Sequence, residues 1–175
     1  DNPPALHGVV LVAPGSYPDY PAGFLEKLMA APLIGRGATR ALIPLIGEER
    51  IRRDLAEALA PDNDVVPKNF FDLRVGLWKK PVPLRAYAEH LLTYNDDHAR
   101  MAPEYPKIVK PVAILQGEAD SSAPLRAGSQ RLVREIPGAT LKTFPATGHY
   151  LQYRQAQAVA EAVDQIHSMP TKNKK

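Results

Sequence analysis

A chain of 175 residues, 45% hydrophobic and 23% charged, is long enough for one substantial core and has the balance of a globular protein. Its formal charge of +3 is matched by Lys172, Lys174 and Lys175 at the end, so the body is neutral and offers no electrostatic footprint for nucleic acid. With no cysteine, disulfides and thiolate chemistry are excluded within these residues, and no apolar run approaches the ~20 residues of a membrane span.

After a polar lead-in, Gly8 to Ala13 (Gly-Val-Val-Leu-Val-Ala) reads as a strand buried on both faces, stopped by Pro14-Gly15-Ser16. From Tyr17 to Ile108 no strand is evident. Prolines and glycines cut the segment into short predicted helices: Ala22 to Ala31, Thr39 to Ile46 with a break at Pro44, Glu48 to Ala60, Lys68 to Lys79 and Leu84 to Met101. The Glu48 helix is the clearest, with Ile51, Leu55 and Leu59 at helical spacing and two glutamates in its first turn. About ninety residues is far too long for a plain connection, so 17–108 is expected to be an inserted helical subdomain between core segments 1–16 and 109–170.

Val112 to Gln116 is again a short apolar run, ended by Gly117, and it delivers Asp120 into a loop. A helix is predicted from Pro124 to Ile136, with Pro137-Gly138 as its stop. A strand from Thr140 to Phe144 then leads to His149. Gln155 to Ile166 reads as an amphipathic helix, and 171–175 as a disordered basic tail. The fold class is therefore α/β with a parallel sheet.

Strand, acid, helix, strand, histidine sets a carboxylate and an imidazole at the carboxyl end of such a sheet, where reactive crevices form. In a nucleophile–histidine–acid catalyst, the acid holds the imidazole in one tautomer and stabilises its protonated form. Asp120 and His149 are the candidate pair. Asp also suits a turn or a helix cap, and the two roles are compatible. Glu118 is the alternative acid. Phe70, Phe71, Trp78, Tyr87 and Tyr94 are candidates to line a substrate pocket, with plain core packing as the competing reading. His90 and His98 lack a third ligand at sensible spacing, and no metal is expected.

Pro111-Val-Ala-Ile-Leu-Gln-Gly-Glu-Ala-Asp120, taken with Gly148-His149, resembles the C-terminal half of the α/β-hydrolase family. The stretch from Pro81-Val-Pro-Leu-Arg-Ala86 to Asp96-Asp97 resembles the helical cap of bacterial members in the esterase, epoxide-hydrolase and haloperoxidase-like groups. The resemblance implies Asp120 as triad acid, His149 as base, and hydrolysis of a small, mostly apolar ester. By the same resemblance Gly8 to Ala13 is the sixth strand, and the nucleophile and oxyanion donors lie upstream. Ser16, Ser121, Ser122, Ser129 and Ser168 all lack the G-x-S-x-G frame of a nucleophile elbow. The chain alone is thus expected to be an inactive part of a longer hydrolase.

Two departures from the family pattern stand out: the polar Ser121-Ser122 after the acid, and Tyr150 after the histidine. Alternatives are an epoxide or haloalkane hydrolase with an aspartate nucleophile, in which Tyr87 or Tyr94 could serve an epoxide oxygen, and a non-catalytic binding or interaction module. No cofactor is implied. The expected partners are a small-molecule substrate and either the N-terminal half of the hydrolase or a second copy paired through the first strand. The lack of a signal-peptide pattern leans toward a bacterial cytoplasm.

Overall fold

The computed structural model describes residues 6–19 and 23–169. Strand β1 (Val9–Val12) is followed by five helices: α1 (Phe24–Ala30), α2 (Gly35–Leu42), α3 (Glu48–Leu59), α4 (Phe70–Trp78) and α5 (Pro81–Met101). The chain then returns through β2 (Val112–Gly117), α6 (Ser129–Glu135), β3 (Thr140–Phe144), the one-turn α7 (Leu151–Arg154) and α8 (Ala156–Ser168). Among the described residues, no helix is long and apolar enough to cross a membrane.

The residues group into two compact units. One holds the strands: the described residues up to Ser16, then Ala58–Val65, then those from Met101 onward. The other holds Tyr17–Glu57 and Val66–Arg100. Against the expectation of one continuous insertion over 17–108, Ala58–Val65 and residues 101–108 group with the sheet.

In the sheet unit the three strands run parallel in the order β1-β2-β3. Val9 to Val12 pair with Val112 to Leu115, and Ala113 to Gly117 pair with Thr140 to Phe144. Parallel neighbours require a crossover, and α6 lies in the one between β2 and β3. Side chains alternate across a strand, so the neighbours Ile114 and Leu115 face opposite sides of the sheet; both are buried. Leu115 joins Ala13, Phe144, Leu151 and Ala162 in one core, flanked by Val10, Val12, Ala113, Ala158 and Val159. This is where the apolar stripe of α8 is spent.

Several boundaries differ from the sequence expectation, each for a local reason. β1 is only half-buried along its length, because β2 covers one edge and no strand among the described residues covers the other. The helix after the acid starts at Ser129 and not at Pro124. Residues 124–128 turn instead, with Gly128 N–H bonded to the Pro124 carbonyl and a non-helical Gly128 before the helix. In the helical unit α2 runs Gly35–Leu42, and the chain tightens to a 3₁₀ turn over Ile43–Leu45, where Pro44 has no N–H to continue an α-helix. Gly35 opens α2 rather than breaking it. A Cβ there would lie 2.3 Å from the Met29 carbonyl oxygen, so only glycine fits so close to α1. α5 begins three residues earlier than expected, on Pro81, a position that suits proline's fixed φ. The Ala22 start of the first helix and the lysine tail lie outside the described residues.

The helical unit has its own core of Met29, Leu84 and Ala88, flanked by Ala30, Leu42, Ile43, Ile46 and Trp78.

Candidate functional site

Two loops at the carboxyl ends of β2 and β3 form the candidate site. The pairing of the strands continues past their ends: Glu118 N–H donates to the Phe144 carbonyl and Ala119 N–H to that of Thr147, both at 3.0 Å. Gly117 makes this possible. A Cβ at that position would lie 2.2 Å from the Thr147 oxygen and 2.5 Å from that of Gly148, so any side chain would push the loops apart.

Asp120 hangs from this junction with its carboxylate buried. Oδ1 accepts the N–H groups of Ser122 and Ala123, each at 2.8 Å, which is the Asx-type turn that aspartate favours. Oδ2 accepts from Gln116 Nε2 at 2.7 Å and lies 2.9 Å from His149 Nδ1. An ionised carboxylate can only accept, so Nδ1 carries the proton and Nε2 keeps its lone pair. The His149 side chain is 32% exposed, enough for Nε2 to meet a reactant while Nδ1 stays anchored. Burial works to raise the Asp120 carboxyl. The hydrogen bond from His149, the Ala123 N–H, the positive charge that His149 carries when protonated and Gln116 outweigh it, and hold it below the usual carboxylate range.

Gln116 and Ser129, which the sequence reading passed over, complete the acid's surroundings. Ser129 Oγ donates to Gln116 Oε1 at 2.7 Å, and Gln116 Nε2 also reaches the Ala123 carbonyl at 3.1 Å. An apolar strand that ends in a buried glutamine was the available signal. Glu118, the alternative acid, points elsewhere: its carboxylate accepts from Thr143 Oγ1 at 2.7 Å on an exposed surface.

The histidine loop runs from Pro145 to Tyr150. Its N–H at Gly148 donates to Asp62 Oδ2 at 2.6 Å, and Arg154 of α7 bonds both Asp62 and Asp64. Leu151, fully buried just after His149, anchors the far side. Burying such a side chain is worth about 1.5–3 kcal/mol.

The proposed pocket aromatics all lie in the helical unit, in three small groups. Phe70 is buried and meets Phe71 edge-on at 5.7 Å, with the Arg74 guanidinium over its ring. Trp78 meets Tyr87 at 4.6 Å and packs on the core of that unit. Tyr94 stacks on His98 at 4.0 Å and meets His90 edge-on at 5.9 Å. Burial first, then the Asp19 charge, raises the Tyr94 phenol. Among the described residues no group of three or more His, Asp or Glu side chains could hold a metal ion.

The sequence profile described as the alpha/beta hydrolase family matches residues 3–162. Among solved structures, the chain is similar to a thermophilic esterase from Thermogutta terrifontis (17% identity, TM-score 0.60), covering 93% of this chain and 57% of that one. A meta-cleavage product hydrolase from Pseudomonas fluorescens matches at 21% identity and TM-score 0.65, with 91% and 55% covered. The 2-hydroxy-6-oxo-6-phenylhexa-2,4-dienoate hydrolase of Rhodococcus sp. matches at 14% identity and TM-score 0.67, with 93% and 55% covered. At these identities the likeness shows the fold alone, and the chain spans little more than half of each matched structure. No curated protein sequence matches it.

Proposed function

The chain belongs to the alpha/beta hydrolase family, and on that premise we propose that Asp120 and His149 are the acid and base of a nucleophile–histidine–acid hydrolase. Its substrate is a small, mostly apolar ester or a close relative of one. Residues beyond these 175 supply the nucleophile and the oxyanion donors in this reading. Ser129 is committed to Gln116, and none of the other serines sits in an elbow.

The reaction then follows from the tautomer. Nε2 takes the proton of the nucleophile's hydroxyl as its oxygen attacks the ester carbonyl. Asp120 stabilises the imidazolium, which returns that proton to the departing alkoxide, and the alcohol leaves. Nε2 next takes a proton from water as the water attacks the acyl-enzyme. The carboxylic acid is released and the hydroxyl restored. Phe71, Trp78, Tyr87 and Tyr94 are the proposed apolar surface for the substrate, Phe70 being committed to the interior. The edge of β1 that no strand among the described residues covers is the proposed place where the N-terminal half of the hydrolase, or a second copy, adds its strand.

The observation that carries this reading is the contact of Asp120 Oδ2 with His149 Nδ1 at 2.9 Å. The test is turnover of p-nitrophenyl acetate and butyrate by the intact protein. His149→Ala is expected to lower kcat by at least about 10⁴-fold, and a loss under about tenfold sinks the assignment.

A further inference from the structure

Asp62 is a fully buried carboxylate that the acid–base reading does not use. It sits in Ala58–Val65, the stretch that leaves the helical run and groups with the sheet unit. Its two oxygens grip the histidine loop on both flanks. Oδ2 accepts the N–H of Gly148, the residue before His149, at 2.6 Å. Oδ1 accepts from Arg154 Nε, in the turn of helix just after His149, while the second branch of that guanidinium reaches Asp64. One rigid group thus spans the segment from 148 to 154.

The backbone beside Asp62 makes a second, independent contact with the same residue. A Cβ on Gly148 would lie 2.4 Å from the Ala60 carbonyl oxygen and 3.3 Å from Asp62 Oδ2. The glycine of the Gly-His pair is therefore demanded by the 60–62 segment. Gly117 closes the other side, against the Thr147 and Gly148 carbonyls. The backbone one residue before His149 is held by Asp62 and the His149 ring by Asp120, and the loop has little room to swing.

We infer that Asp62 is a positioning residue for His149: paired with Arg154, it fixes the backbone on which the imidazole is carried, so that Nδ1 stays on Asp120. The inference rests on the acid–base reading above. A buried charge is costly unless it is fully paired, and among the described residues the Asp62 carboxylate is paired through the Gly148 N–H at one end of this segment and the Arg154 guanidinium at the other. A misplacement of about 1 Å in reacting groups can cost about 10²-fold in rate.

The test is ¹⁵N-edited imidazole NMR on the intact protein, beside steady-state ester kinetics. Wild type is expected to show His149 with a protected Nδ1-bound proton. In Asp62→Ala that proton exchanges freely and the two tautomers mix, kcat falls by about 10²-fold, and KM moves by less than about threefold. Asp62→Asn keeps one acceptor for Gly148 while losing the ion pair. It is expected to fall between the two, and it decides the matter if the alanine variant does not fold. A purely structural role predicts a lower denaturant midpoint with the Nδ1 proton and kcat of the folded protein unchanged, and that result overturns the inference. A wild-type protein without the Nδ1-bound proton sinks the acid–base reading itself. A wild type that has it, beside folded Asp62 variants that keep it, sinks only the role of Asp62.

Discussion

The acid loop and the histidine loop sit side by side but are held in different ways. Every partner of the Asp120 carboxylate other than His149 lies within four residues of it in the chain: Gln116, Ser122 and Ala123. The histidine loop is held by Asp62, 86 residues from Gly148 and 92 from Arg154. A local turn forms with its strand and has little ordering entropy left to overcome. A clamp from afar depends on the whole unit being assembled, although the closure entropy of so long a loop grows only slowly with length. Asp120 is thus part of a self-contained turn, and His149 is placed by the fold.

The sharpest way to break that contrast is to remove the acid's charge and leave its shape. Asp120→Asn keeps the turn but presents an amide to Nδ1, which disfavours the working tautomer. In the best-studied triad the same change costs about 10⁴ in kcat, and a comparable loss is expected in the intact protein. A rate within about tenfold of wild type removes Asp120 from the mechanism. The variant also carries a pH signature. The folded chain holds this carboxyl below its ordinary value, so its stabilisation is fully present above the unfolded value of about 3.9 and is lost as pH falls through the folded value. The advantage of wild type over Asp120→Asn in denaturant midpoint therefore holds steady above about pH 5 and shrinks as pH is lowered below about 4.

A smaller effect is expected from the hinge between the loops. Gly117→Ala sets a methyl group 2.2 Å from the Thr147 oxygen, and backbone on both sides must move. The cost is about 1–3 kcal/mol in denaturant unfolding, with kcat lowered because the two loops part. Gly138→Ala is the control: it faces open space, and its cost comes only from its positive φ of 75°. Equal losses of kcat in the two variants would falsify the view that Gly117 is a close-approach glycine.

How much of this was legible follows the same division. β2 was readable because a short apolar run between breakers has few other uses, and β3 because the strand-favouring Thr140, Thr143 and Phe144 lie between Gly138 and Pro145. The acid loop was readable because glycine, aspartate and proline punctuate it within a few residues. The structure brings Asp120 and His149 together across 29 positions, a pairing that the order of strands already suggested. Asp62 was not legible. Pro61-Asp62-Asn63-Asp64 reads as an ordinary polar turn, and nothing near it says that its carboxylate ends buried beneath a histidine loop. Gln116 and Ser129 were half-legible: each is a polar residue in an element otherwise read as apolar or helical, and each pairs with the other. The one-turn α7 was missed because four residues carry no periodicity.

The smallest expected effect tests the acid loop from its exposed side. Glu118 lies two residues before Asp120 and carries the same charge on a longer stem, so by proximity alone it is the natural rival. Its carboxylate, however, accepts from Thr143 Oγ1 across the strand ends, and it is exposed to water. The Asp120 oxygens are buried and already occupied by two backbone N–H groups, Gln116 and His149. A charge in water is screened and free to move, and it cannot fix a tautomer as a buried, fully bonded one can. Glu118→Gln keeps the hydrogen bond to Thr143 and removes only the charge. It is expected to leave kcat and the denaturant midpoint within the scatter of surface substitutions, about 0.5 kcal/mol or a factor of about two. A loss near that of Asp120→Asn would transfer the acid's role to Glu118, and the local turn around Asp120 would then be structure alone.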